Sequence, residues 1–327
     1  MAMHRRHALT LVLAYATWSP AFAQPRKVRI GFLGGASPDA ATRRVALDPF
    51  RQALRELGYV EGQNLDLDFR WAEGQPARLP GLAAELLKLG PDVLVTMGPR
   101  PAMVAKAATS SVPVVAAAVD NPVEMGLVAD FSRPGGNVTG ISSFGAELAA
   151  KRLQLLKEMV PSIRRVAVLM NPATLSRAGQ EQTLRGFGAR LGLSVQVVEA
   201  ASPDQFAAAF DAMAREGAEG VLVLADATFW MHRPRLHELV AQRRLPSIWG
   251  GPDWLEGGGL ASYQSHFPTI FRRAAAMVDA IVKGAKPATT PFEQATQLEL
   301  VINLRSAKAL GIAVPQSLLV AADHVIE

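Results

Sequence analysis

Short apolar runs and amphipathic segments alternate along the chain from residue 27 onward. Residues 28–33 form a β-rich run ending in Gly34-Gly35, and 41–57 place Leu47, Phe50, Leu54 and Leu57 at helical spacing before Gly58 stops them. Within that helix Asp48-Pro49 predicts a kink, or a restart with Asp48 as cap. Residues 65–69 alternate apolar and acidic positions, as a strand at the side of a sheet does. A helix over 79–89 leads into 92–97, a fully apolar strand of the kind buried on both faces of a parallel sheet. A helix over 101–108 and a strand over 112–119 complete a doubly wound α/β pattern.

The pattern then starts again. Helices are predicted over 147–159, 180–191, 205–215 and 235–244, with strands over 165–170, 195–198, 220–224 and 247–249. Two sheets of about four or five parallel strands each account for this doubling. The last third of the pattern continues neither sheet: it comprises 257–264, a helix over 268–283 with Ile270, Ala274, Met277 and Ile281 on one face, and 292–302. The chain is therefore expected to cross back, making both lobes discontinuous.

Composition narrows the possibilities. A chain of 327 residues predicts two domains, and 49% apolar with 19% charged residues excludes disorder. The net charge of +5 comes from basic residues scattered singly or in pairs, so no nucleic-acid partner is expected. Absence of cysteine excludes disulfide scaffolds, thiol nucleophiles, zinc fingers and Fe–S clusters, and suits an oxidising compartment. Residues 1–23 read as a secretory signal peptide: Arg5-Arg6, an apolar run over 8–18, then Ser19-Pro20 and Ala21-Phe22-Ala23, with cleavage after Ala23. The apolar run is about half of the roughly 20 residues a membrane span needs. Gln24 comes after the cut, so no cysteine is there to carry a lipid anchor, and a soluble periplasmic protein is expected.

In open parallel sheets ligands bind beyond the carboxyl ends of the strands. Candidate site residues are therefore those just past each strand: Gly35, Ala36 and Ser37; Gly98, Pro99 and Arg100; Asp120; Ser142; Asn171 and Thr174; Asp226 and Thr228; Trp249 and Asp253. Several pair a short polar residue or glycine with proline, which caps a helix and leaves its first N–H groups pointing outward, where carboxylates bind. Asp120, Asp226 and Asp253 are candidates to hold an ammonium group, and Trp249 or Tyr263 to supply an apolar or cation–π surface. Together they describe a site for a small zwitterion. The competing reading of each polar residue is a helix cap and nothing more. The stretch 31–37 lacks G-x-G-x-x-G spacing, His232, His237, His266 and His324 lack metal-ligand spacing, and no G-x-S-x-G elbow or nucleophile–base pair occurs. No cofactor, metal or catalysis is expected.

Residues 50–64 (FRQALRELGYVEGQN), 91–98 (PDVLVTMG), 112–119 (VPVVAAAV), 121–128 (NPVEMGLV) and above all 133–141 (RPGGNVTGI) resemble the ABC-transporter substrate-binding family that includes tryptophan and tyrosine binders. The resemblance runs on through 152–168 (RLQLLKEMVPSIRRVAV), Asn171-Pro172, 283–287 (KGAKP) and 299–311 (ELVINLRSAKALG). It implies a type I periplasmic-binding-protein fold: two Rossmann-like lobes joined by three crossovers near 140–144, 260–264 and 296–302, with ligand between them. The implied lobes are 24–141 plus 263–298 and 142–262 plus 299–327. The implied protein is a monomeric receptor that captures a small molecule, an aromatic or other amino acid, by hinge closure and presents it to an inner-membrane permease. A ligand-sensing input for a signalling receptor is the alternative. Departures from relatives at Gly98-Pro99-Arg100, Asp120-Asn121-Pro122 and 226–230 bear on which ligand is bound.

Overall fold

The computed structural model describes residues 27–175, 177–255 and 257–327, so the expected signal peptide lies outside the described residues. The first half builds β1 (Val28–Gly34), α1 (Ala40–Thr42), α2 (Asp48–Glu56), β2 (Leu65–Trp71), α3 (Leu79–Lys88), β3 (Val93–Met97), α4 (Pro99–Ala108), β4 (Val114–Val119) and β5 (Val138–Ser142). Then come α5 (Gly145–Met159), β6 (Arg165–Met170), α6 (Arg177–Arg190), β7 (Ser194–Glu199), α7 (Phe206–Arg215), β8 (Gly220–Val223), α8 (Ala227–Met231), α9 (Arg233–Gln242), β9 (Ser247–Trp249) and β10 (Ala261–Ser265). The chain ends with α10 (Phe267–Val282), β11 (Glu293–Gln294), β12 (Leu298–Asn303), α11 (Leu304–Leu310), α12 (Gln316–Ala321) and β13 (His324–Ile326).

Two sheets result, ordered β11-β5-β4-β3-β1-β2 and β13-β12-β10-β9-β8-β6-β7. Every pairing is parallel except β10 with β12. The uninterrupted apolar runs explain the parallel strands: β4 is buried at every position and β3 at all but Met97, because helices cover both faces of each sheet. In the first lobe α2 and α10 pack Phe50, Leu54, Phe271 and Val278 on one face, while Leu82, Leu86 and Ala102 of α3 and α4 fill the other. In the second, Leu153, Leu156 and Leu184 lie on one face, and Phe206, Phe210, Leu236 and Leu239 on the other. This is the doubly wound, two-lobed α/β architecture predicted from the alternation.

Two local readings are corrected. Asp48 does not cap a restarted helix, since it is itself helical and a π-helical turn, Arg43–Leu47, leads directly into α2. The wider turn makes room where the proline ring would meet the carbonyl four residues back. The second lobe keeps residues 263–265, because β10 stays paired to β12 through Ser265. The chain passes between lobes at Ser143-Phe144, at His266 and at 295–297, and α10 packs on α2 and β4 of the first lobe.

Candidate ligand cleft

In the first sheet β1 lies between β2 and β3, so the loops leaving β1 and β3 diverge to opposite faces and open a crevice; in the second, β6 lies between β7 and β8 and does the same. The two crevices face each other. The loops after β1, β3, β6 and β8 all line one cavity of about 350 Å³, closed at its base by Ser143 and Gly145 after the first crossover and by Gln264, Ser265 and Phe267 around the second.

Of the residues singled out from the sequence, Gly35, Ala36, Gly98, Pro99, Arg100 and Asp120 line this cavity from the first lobe, and Thr174, Asp226 and Asp253 from the second. Gly98, at φ +90°, is the residue from which α4 springs, a backbone conformation that glycine adopts without strain. Six others stand outside the lining. Ser37 comes directly after the lining residues Gly35 and Ala36; Ser142 is buried as the last residue of β5, and its neighbour Ser143 faces the cavity instead. Asn171 and Thr228 brace Asp226, the first with its Nδ2 at 3.2 Å and the second with its backbone N–H at 2.8 Å. Trp249 is wholly buried, donating Nε1–H to Ser247 Oγ at 2.8 Å with its ring 4.3 Å from that of His237. Tyr263 contributes a backbone carbonyl that accepts from Arg152 Nε at 2.6 Å.

The three acids have protein donors. Asp120 Oδ1 accepts from the Ser143 hydroxyl and, at 2.8 Å, from the Gly145 N–H, so a first-lobe carboxylate caps second-lobe helix α5 across the crossover. The approach is so close that a Cβ on Gly145 would collide with the Asp120 carboxylate. Around this junction Ala118, Asn121 and Phe144 all have positive φ (56°, 46° and 56°), and β4 carries a register shift between Ala117 and Val119. Such strain persists only where surrounding contacts hold it, and here it turns Asp120 toward the base of the cleft. Asp226 Oδ1 takes the N–H groups of Thr228 and Phe229 at the start of α8. Asp253 accepts from Arg44 Nε at 3.1 Å and from its Nη2. Capping therefore accounts for one oxygen each of Asp120 and Asp226.

The cavity also contains groups absent from the sequence-based set. Trp230 and Trp254 line it with their rings edge to face, centroids 5.3 Å apart. Arg152 lines it at only 4% exposure, and burial pushes its guanidinium down to about 10, still charged at neutral pH. A sequence signal for Arg152 exists: it stands four residues from both Leu148 and Leu156, which places a charge on the inward stripe of α5.

The lips of the cleft touch. Arg233, whose guanidinium lies 4.3 Å over the Trp230 ring, donates from both Nη atoms to Asp39 Oδ2 of the first lobe, each at 3.2 Å. Burial raises the Asp39 carboxyl, but the bonds from Thr42 and Arg233 outweigh it and hold the group below its usual value. Arg44 reaches Asp253 across the gap, and Arg100 donates to the Ala173 carbonyl. Both ion pairs are only partly exposed and contribute on the order of 1 kcal/mol each, so they bias closure rather than dictate it.

Residues 39–326 match the profile of the family described as ABC transporter substrate binding protein. Among curated proteins the chain is similar to the tyrosine-binding protein of Clostridioides difficile, 23% identical over 80% of this chain and 75% of that one. Among solved structures it is similar to a conserved domain protein from Vibrio cholerae (26% identity, TM-score 0.86) and to an ABC domain in complex with L-Trp from Streptococcus pneumonia (27%, TM-score 0.85). Each comparison covers 92% of this chain and 100% of the other. With the family match spanning nearly its whole length, the chain belongs to the ABC transporter substrate-binding proteins.

Proposed function

We propose that the chain is the exported receptor of an ABC importer and captures a small molecule, an aromatic or other amino acid, by closing its two lobes around it. The observation that carries this reading is a cavity to which both lobes contribute charged and aromatic side chains. Its volume, about 350 Å³, lies at the lower end of the roughly 300–1,000 Å³ typical of small-molecule sites. Trp230 and Trp254, with Val45, Leu79 and Met97 opposite, offer an apolar enclosure, and Asp120 and Asp226 supply negative charge for an ammonium group. The L-Trp complex and the tyrosine-binding relative support the same class of ligand.

Closure needs a ligand that touches both walls, because only differential affinity for the closed state moves the equilibrium. The lips already meet through Asp39–Arg233 and Arg44–Asp253, so a bound solute adds to a weak intrinsic preference. The 1–23 leader would deliver the receptor to the periplasm, where the closed monomer meets its permease. Thermal unfolding of the mature chain with each of the twenty amino acids tests the reading: an aromatic member should raise Tm with rising concentration. No shift with any of them would overturn the amino-acid assignment.

A further inference from the structure

We propose that Arg152 is the anchor for a planar oxyanion, a carboxylate above all, so that the solute is held through its acid group at the base of the cleft. The proposal rests on the receptor reading and adds the contact that selects the ligand class. Arg152 is the most deeply buried charged side chain in the cavity wall, at 4% exposure. A guanidinium carries five N–H donors, and among the described residues Arg152 has one hydrogen bond, from Nε to the Tyr263 carbonyl. That bond fixes the rotation of the planar fork. The terminal nitrogens are left for whatever fills the space that the side chain borders.

Its surroundings do not neutralise the charge at contact distance. Asp120 is the acid whose charge favours the guanidinium, yet the bonds its carboxylate makes run to Ser143 and Gly145. No ion pair to Arg152 occurs among the described residues. A buried cation with most of its donors unspent is costly to keep, and a bidentate carboxylate is the partner that fits a planar fork. The position adds a mechanical consequence. Arg152 stands on α5, just after the first crossover, and grips Tyr263, three residues before the second, so an acid group docked on it binds where the lobes pivot.

Calorimetry with paired probes tests this: L-tryptophan against tryptamine, and L-tyrosine against tyramine, each pair differing only by the carboxylate. The amino acid should bind at least about 100-fold more tightly than its amine, and in Arg152→Gln that ratio should collapse to within about threefold. Arg152→Lys, which keeps the charge and loses the fork, should fall between them. Equal affinity of amine and amino acid in the native chain would overturn the proposal while leaving the receptor reading intact, and that comparison does not depend on any variant folding. If neither pair binds, mass spectrometry of the solute released from the native chain decides: a solute without an oxyanion refutes the Arg152 anchor, one with an oxyanion supports it. A chain that carries and binds nothing refutes the receptor reading itself.

Discussion

The two walls of the cleft are built from different materials. The first lobe presents Gly35, Ala36, Gly98 and Pro99, which bring backbone to the surface in the loops after β1 and β3, beside the side chains of Met97, Arg100, Asp120 and Glu124. The second presents Trp230, Trp254, Arg152 and Asp226, large or charged side chains held from behind by Arg233, Tyr263 and Asn171. The tryptophan pair and the buried guanidinium therefore belong to one wall, and the glycine- and proline-rich helix entries to the other.

The largest expected effect is on acid stability of the second lobe. His237, buried against Trp249, is pushed down to about 4 by desolvation. The unfolded chain takes up this proton near 6.5 and the folded one does not, so stability is full above that pH. It falls by about 3 kcal/mol as the pH drops from 6.5 to 4, with no further loss from this residue below. Thermal unfolding across that range should show the slope in the native chain and lose this part of it in His237→Phe. A second large effect separates the walls. Trp230→Ala should weaken an aromatic solute by about 2 kcal/mol, roughly 30-fold, whereas Ala36→Ser on the opposite wall should change affinity less than threefold by calorimetry. Equal losses would erase the distinction.

Gly145→Ala probes the base where the walls join. The added methyl displaces the Asp120 carboxylate and removes the cap of α5, at a cost of about 1–2 kcal/mol measured by denaturant unfolding. Smallest is the lip. Asp39→Asn should weaken solute binding two- to fivefold at low salt, an effect that shrinks as ionic strength rises, because the Arg233 pair favours the closed form and is partly exposed.

The scaffold was legible because parallel strands buried on both faces leave continuous apolar runs, as at 93–95 and 114–119, and because the acidic alternation of 65–69 marks β2, which does lie at a sheet edge. The strands β11 and β13, of two and three residues, are too short to carry a pattern. Loop positions such as Gly35, Gly98 and Asp226 could be placed at the cleft because the carboxyl end of a parallel strand is a topological address. Side-chain direction could not. Trp249 ends a strand and points into the core, while Trp230 and Trp254, a few residues into the next turns, take the cavity wall. Contacts such as Asp39–Arg233, separated by 194 residues, exist only once the lobes meet.

If these two walls form one receptor site, a solute lies between them. Native mass spectrometry of the mature chain, purified without denaturation and then incubated with the amino acids, reads that occupancy without an intermediary. The prediction is a one-to-one complex with an aromatic amino acid that the denatured chain releases and Trp230→Ala holds less well. A chain that shows only its own mass, and keeps it at saturating concentrations of every amino acid, would contradict an amino-acid site between the lobes.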